Sequence, residues 1–245
     1  MERATDVLAR MAALPFTEIA TLTQGKPILV LSPHPDDESL GCAGLIAQAC
    51  AAGVDVHVVL LTDGSRSHPN SKEYPEARLI ALREREMAAA LVTLGLPSGR
   101  LAFFGYQDAS APRKGYPMRQ AAEQLAAYIR DHDIGSVFAS WAYDPHCDHL
   151  AAHRITVAAS RMVPFRHLAY AVWGWTLART TWIRAQRIRG WRLDITDTLA
   201  IKRAAVECHM SQMTTMIDDD PDGFILPDYL LDLCYRPFET FIQVN

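Results

Sequence analysis

No apolar run in this chain approaches the ~20 residues needed to cross a bilayer, so no membrane span is expected. The five cysteines, Cys42, Cys50, Cys147, Cys208 and Cys234, are scattered and never form a Cys-x-x-Cys pair. That argues against a disulfide framework and for a reducing compartment. Met1-Glu2-Arg3-Ala4-Thr5-Asp6 carries an acid and opens no continuous apolar segment. No secretory signal is therefore expected, and the expected location is cytoplasmic. No Ser/Gly linker, repeat or low-complexity stretch divides the 245 residues, which suffice for one large domain over 1–245. A net charge of −4 gives no reason to expect nucleic acid as the partner. Arginines do gather at Arg179, Arg184, Arg187, Arg189 and Arg192, which read as a solvated or substrate-rim face. No Gly-x-Gly-x-x-Gly follows the first apolar run, which disfavours a non-catalytic nucleotide- or sugar-binding module.

What the chain does have is alternation. Apolar runs at 28–32, 54–62, 101–104 and 136–140 read as strands, and helical periodicity marks 40–52, 76–94, 118–131 and 150–162. Strand–helix alternation of this kind specifies an α/β fold with a mostly parallel sheet flanked by helices. A leading helix is expected at 5–16. Later strands are expected at 168–173, 190–195 and 238–244, with a helix at 197–210 capped by Thr196 or Asp197.

Ligand-type residues collect just after the predicted strands. Pro33-His34-Pro35-Asp36-Asp37-Glu38 follows the first, and Asp144-Pro145-His146-Cys147-Asp148-His149 follows the fourth. Asp63 and Asp108 follow the second and third. In open parallel sheets, ligands bind outside the carboxyl ends of the strands. A catalytic zinc site takes three His or carboxylate ligands and keeps a position for water. His34, Asp37 and His149 are the candidates, which implies one Zn²⁺ per chain and water acidified to a pKa near ~7. Asp36 is the candidate general base and His146 the oxyanion stabiliser, acting as imidazolium. Asp148 is placed to accept from one imidazole and fix its tautomer.

The two clusters together resemble the PIG-L/LmbE-like family of zinc-dependent N-acetylglucosaminyl deacetylases. Leu61-Thr62-Asp63-Gly64, Arg83 with Glu86 and Leu94-Gly95, Gly105-Tyr106-Gln107-Asp108, and Lys202 through Gln212 extend the resemblance over about 27–212. It implies a Rossmann-like fold, removal of acetyl from an amino sugar or glycoconjugate, and the roles just given. It also places Asp63, Arg66 and Asp108 in the sugar pocket. A small-molecule amino-sugar or glycoconjugate substrate is the implied partner, and the sequence leaves a homo-oligomer open. An amidohydrolase acting on a longer acyl group is the alternative. The departure is Cys147, where the family has proline; its thiol is expected to point away from the metal.

Blander readings remain for several residues. His153 reads as supporting or core rather than ligand, and Arg83 with Glu86 as a surface or interface ion pair. Asp218-Asp219-Asp220-Pro221-Asp222-Gly223 resembles a calcium loop, but its twelfth position is Tyr229, so it reads as a solvated acidic turn. Trp141 and Tyr143 are expected at the pocket wall, with Tyr143 donating to substrate, in preference to Trp173, Trp175, Trp182 and Trp191.

Overall fold

The computed structural model describes residues 1–184 and 188–244. Arg187, one of the clustered arginines, lies outside them. The chain opens with β1 (Glu2–Arg3), α1 (Ala4–Ala12), β2 (Phe16–Thr17) and α2 (Ile19–Thr23). The alternating core follows as β3 (Ile28–Ser32), α3 (Asp37–Ala51), β4 (Val56–Thr62), α4 (Glu76–Thr93), β5 (Leu101–Tyr106), α5 (Gly115–Asp131), β6 (Ser136–Ser140), α6 (Cys147–Ala159) and β7 (Arg166–Tyr170). The last part holds β8 (Trp182–Ile183), β9 (Gly190–Asp194), α7 (Leu199–Glu207), α8 (Met210–Met213), α9 (Asp228–Cys234) and β10 (Phe238–Gln243).

Among the described residues the main sheet has the order β2-β9-β10-β7-β6-β3-β4-β5. The run β7-β6-β3-β4-β5 is parallel throughout, and β10 pairs antiparallel with β7 and β9. This is a mixed α/β fold with a mostly parallel sheet flanked by helices. Strands β3 and β6 are fully buried, as their unbroken apolar runs require. They are neighbours although 108 positions separate Ile28 from its partner Ser136. The chain adds β4 and β5 on one side of β3 and β6 on the other, so the strand order reverses there.

Sequence periodicity missed the polar first turns of two helices. α3 starts at Asp37 rather than residue 40, and α6 at Cys147 rather than 150. Asp37, Glu38, Asp148 and His149 are buried and partnered, so no apolar pattern announces these turns. The helix expected at 197–210 breaks after Glu207 and resumes at Met210, with His209 turned back toward Ser39 Oγ at 3.1 Å. Thr196 and Asp197 do not cap it. Asp194 Oδ1 instead accepts from Thr196 N at 2.9 Å and from its hydroxyl.

Two contacts lock α3 in place. Gly41 lies against Tyr170, whose ring carbon would be 2.4 Å from any Cβ there. Lys202 donates to Leu40 O at 2.8 Å and pairs with Glu239 at 2.9 Å, while Glu239 accepts from the amides of Gly44 and Leu45. This buried pair satisfies its own charges and ties α3 to α7 and β10.

His167 on β7 is buried beside His153 of α6, ring centroids 5.5 Å apart, and neither of its nitrogens has a partner. Burial, then the neighbouring His153, pushes its pKa down to about 3. The unfolded chain takes up a proton near pH 6.5 and the folded one does not, so stability falls as pH drops through that window. The linkage approaches about 5 kcal/mol below pH 3, of which about 2 kcal/mol develops between pH 6.5 and 5. His167→Phe is expected to flatten this acid limb, read as a smaller change in the urea midpoint between pH 7 and pH 5 than in the wild type.

Candidate active site

His34 to Asp37 leave the end of β3, and Asp144 to His149 lead into α6 after β6. Because β3 and β6 are adjacent, the two loops meet. Asp37 Oδ2 lies 3.1 Å from His34 Nδ1 and 3.0 Å from His149 Nε2, and those two nitrogens are 3.3 Å apart. Ligand atoms about 3.3 Å apart are what a tetrahedral cation with bonds of about 2.0–2.1 Å requires. The nitrogen, nitrogen, oxygen donor set suits zinc.

The far side of each imidazole is also engaged. His34 Nε2 lies 3.2 Å from Asp148 Oδ2 and 3.3 Å from Asp108 Oδ1. His149 Nδ1 lies 3.1 Å from Asp144 Oδ1. A carboxylate behind each ring places the proton there and leaves the inner lone pair for a cation. The carboxylates are held in turn. Asp148 accepts from the amides of Ala109 and Ala111, and Asp144 from those of Val172 and Gly174. Donor atoms of His34, His146 and His149 all lie within 4.8 Å of one another, as do those of His34, Asp108, His146 and Asp148.

Electrostatics points the same way. Burial works against charge on His149, but Asp37 and Asp144 raise its pKa to about 10. His34 is raised too, with Asp108, Asp148 and Asp37 outweighing burial. Burial works to raise the Asp37 carboxyl, but the charge of His149 and the His34 contact hold it well below the carboxylate range. The site demands positive charge, from protons or from a cation, and the residues fit the metal.

Asp36 sits beside this centre with φ +156° and ψ −27°, a backbone conformation that costs a non-glycine residue about 1–3 kcal/mol. Its amide donates to Glu38 Oε2 at 3.2 Å. Arg83, expected on the surface, is buried and holds the strained turn from three sides. It donates to Gly64 O at 2.8 Å, Pro35 O at 3.0 Å and Asp36 Oδ2 at 3.1 Å. Burial pushes the Asp36 carboxyl up to about 6, against the lowering charge of Arg83. Glu86, also expected on the surface, is buried and accepts from the amide and hydroxyl of Ser211.

His146 stands edge-on to His34, ring centroids 4.5 Å apart, and its Nδ1 accepts from Asp148 N at 3.3 Å. Burial, then the charges of His34 and His149, lowers its pKa. With Nδ1 accepting, Nε2 is the nitrogen left to donate.

A cavity of about 230 Å³ opens over the cluster. Its lining includes the reactive groups His34, Asp36, Asp37, Arg83, Asp108 and His146, the polar Arg66, Ser67 and Gln212, and the apolar Leu40, Trp173, Phe224 and Leu226. Asp63 does not line it; its Oδ1 accepts from Ser65 N and Asp108 N and so supports the lining. Tyr143 faces a separate cleft with Arg113 and Arg154, its hydroxyl 3.4 Å from Arg184 O, and Trp141 packs under it. Trp173, set against Phe224, takes the wall position expected of them.

The Cys147 thiol turns toward Ala109 O and Asp148 Oδ1, 3.7 Å from each, and is absent from the metal-type clusters found among the described residues. His153 is absent from them as well. Arg179, Arg184 and Arg189 are exposed, and Arg192 packs on Phe16. The acidic turn is not simply solvated. Asp219 accepts from the amides of Lys72 and Glu73, and buried Asp220 from that of Asn70, stapling two loops beside the cavity.

Residues 29–160, just over half of the chain, match the family model described as PIG-L, GlcNAc-PI de-N-acetylase. The chain belongs to that family. A 1D-myo-inositol 2-acetamido-2-deoxy-alpha-D-glucopyranoside deacetylase from Rhodococcus opacus (strain B4) is 30% identical, over 76% of this chain and 82% of the relative. The fold is shared with the N,N'-diacetylchitobiose deacetylase of Pyrococcus horikoshii, with TM-score 0.71, 20% identity, and coverage of 97% of this chain and 88% of the other. It is shared also with the 4-carboxy-2-hydroxymuconate hydratase of Pseudomonas putida KT2440, with TM-score 0.63, 21% identity, and coverage of 90% and 96%. Likeness at this identity concerns architecture alone, and chemistry is carried by the residues at the rim.

Two outcomes follow from this geometry. Metal affinity, read by calorimetry in buffers of different ionisation enthalpy, is expected to rise with pH between 5 and 8 with proton release, on the order of tenfold per unit for each proton displaced. Gly64→Ala places a Cβ 2.5 Å from Arg83 Nη1 and is expected to displace the guanidinium. Its turnover should fall at least ~10-fold with metal content unchanged, checked by acetate release and elemental analysis.

Proposed function

We propose that this protein is a zinc-dependent hydrolase that removes the N-acetyl group from an N-acetylglucosamine-type amino sugar or a glycoconjugate carrying one. The observation that carries the reading is the meeting of Asp37 Oδ2, His34 Nδ1 and His149 Nε2 within 3.0–3.3 Å, with Asp36 and His146 lining the same cavity. His34, Asp37 and His149 are the proposed metal ligands. Zinc bound there supplies Lewis acidity, acidifying water and polarising a carbonyl.

The chain's own groups do the rest. Asp36, with its carboxyl pushed toward neutral pH and aimed by Arg83, accepts a proton from the attacking water and returns it to the leaving amine. His146 donates from Nε2 to the oxygen that gains charge as the carbonyl becomes tetrahedral. Asp148 and Asp144 hold the His34 and His149 tautomers. Arg66, Asp108 and Gln212 meet the sugar's hydroxyls, and Trp173 with Phe224 offers the ring an apolar face. At about 230 Å³ the cavity lies below the ~300–1,000 Å³ range of sites for drug-sized ligands, which supports one sugar ring with a short acyl group over a longer acyl chain.

Among the described residues no helix is long and apolar enough to cross a membrane. We read the chain as one domain acting in the cytoplasm on a small-molecule substrate, with no nucleic-acid partner.

The test is acetate release by metal-loaded protein from a panel of N-acetylglucosamine conjugates. Chelation should abolish it and zinc restore it. Asp36→Asn is expected to keep its metal and lose ~10²–10⁴-fold in kcat. Near-normal kcat in that variant, folded and metal-replete, would remove Asp36 from the mechanism. His149→Ala is expected to lose the metal itself, by elemental analysis.

A further inference from the structure

Gln212 is fully buried in the cavity wall, yet its Oε1 has no hydrogen-bond partner. Which end of a carboxamide faces a cavity is decided by what the other end must do. Glu86, reaching across from α4, accepts the Ser211 amide on Oε1 at 2.8 Å and the Ser211 hydroxyl on Oε2 at 2.6 Å. A hydroxyl has one hydrogen, and Ser211 commits it to Glu86. Ser211 Oγ then offers only lone pairs, and Gln212 Nε2 donates to it at 3.0 Å. The second Gln212 N–H points at Ser67 Oγ, 3.4 Å away. With both amide hydrogens engaged, the carbonyl is the end left without a protein partner. Turning the amide over would set Oε1 against a Ser211 oxygen that has no hydrogen to give.

We propose that Glu86 and Ser211 are positioning residues that hold Gln212 carbonyl-first toward the cavity, so that the site selects a substrate bearing a hydrogen-bond donor, a hydroxyl or an amine, at that point. The assignment rests on the reading of this cavity as an amino-sugar deacetylase site. A site built to accept a hydrogen bond from its substrate rejects an analogue that lacks the donor, because the buried acceptor is left unpaired. Glu86→Gln reverses the chain of donors. Its new N–H₂ can donate to Ser211 Oγ, the hydroxyl is released to donate to Gln212 Oε1, and Gln212 N–H₂ turns to the cavity.

The experiment measures kcat and KM for acetate release by the metal-loaded full chain, using methyl N-acetylglucosaminide and its 3-, 4- and 6-deoxyfluoro analogues. Fluorine cannot donate. The wild type is expected to lose at least about tenfold in kcat/KM, mainly through KM, on one analogue. Ser211→Thr should keep that discrimination. Ser211→Ala and Glu86→Gln should each reduce it to under about threefold, with metal content unchanged. Undiminished discrimination in both of these variants overturns the assignment, as does a wild type that cleaves the parent and all three analogues equally. A metal-loaded wild type that releases no acetate from any of them, nor from larger conjugates, overturns the deacetylase reading instead, and the assignment falls with it.

Discussion

One carboxylate oxygen, Asp37 Oδ2, touches the inner nitrogens of two imidazoles that also touch each other. With Asp37 and His149 buried and His34 nearly so, three such acceptors are not left together without positive charge among them. Everything around the contact follows from that requirement. Asp144 and Asp148 stand behind the rings and fix their outer protons, and four backbone amides fix those carboxylates. The cost of gathering so much charge at one rim is met by the rigidity of β3 and β6, whose fully buried strands place both loops at the reversal of the sheet.

The neighbouring Asp36 is governed by a different constraint. Its backbone is held where side-chain-bearing residues rarely sit, and Arg83 spans Pro35, Asp36 and Gly64 to keep it there. A glycine at 64 is part of that device, since any side chain would occupy the space of the guanidinium. Strain concentrated on a residue that faces the cavity, and relieved nowhere locally, is a mark of a functional position. The rest of α3 is anchored more conventionally, by Gly41 against Tyr170 and by the Lys202–Glu239 pair.

The shared architecture of a chitobiose deacetylase and a muconate hydratase shows how little the sheet alone says about chemistry. Family membership narrows the question, and the cavity narrows it further. Its lining combines polar and ionic groups with Leu40, Trp173, Phe224 and Leu226, and the segment carrying Phe224 and Leu226 is stapled by Asp219 and Asp220 to the loop at 70–73. An amphipathic lining of this kind suits a sugar ring, polar at its edge and apolar on its face.

The residues alone determined the alternating α/β plan, the four strand ends carrying acids and histidines, and the family. Buried strands of five to seven residues built on apolar runs, with ligand-type residues immediately after them, are local patterns, readable one segment at a time. Tertiary structure alone decided the rest. Arg83, Glu86 and Asp220 look like surface charges in any local window, because nothing nearby in sequence reveals Asp36, Ser211 or the amide of Asn70 as their partners. Trp173 replaced Trp141 and Tyr143 at the pocket wall for the same reason: proximity to His146 along the chain does not say which way a loop turns its rings. Hydrophobic periodicity records which face of an element is buried, whereas a buried polar contact is a statement about two distant segments, and only the folded chain brings both into view.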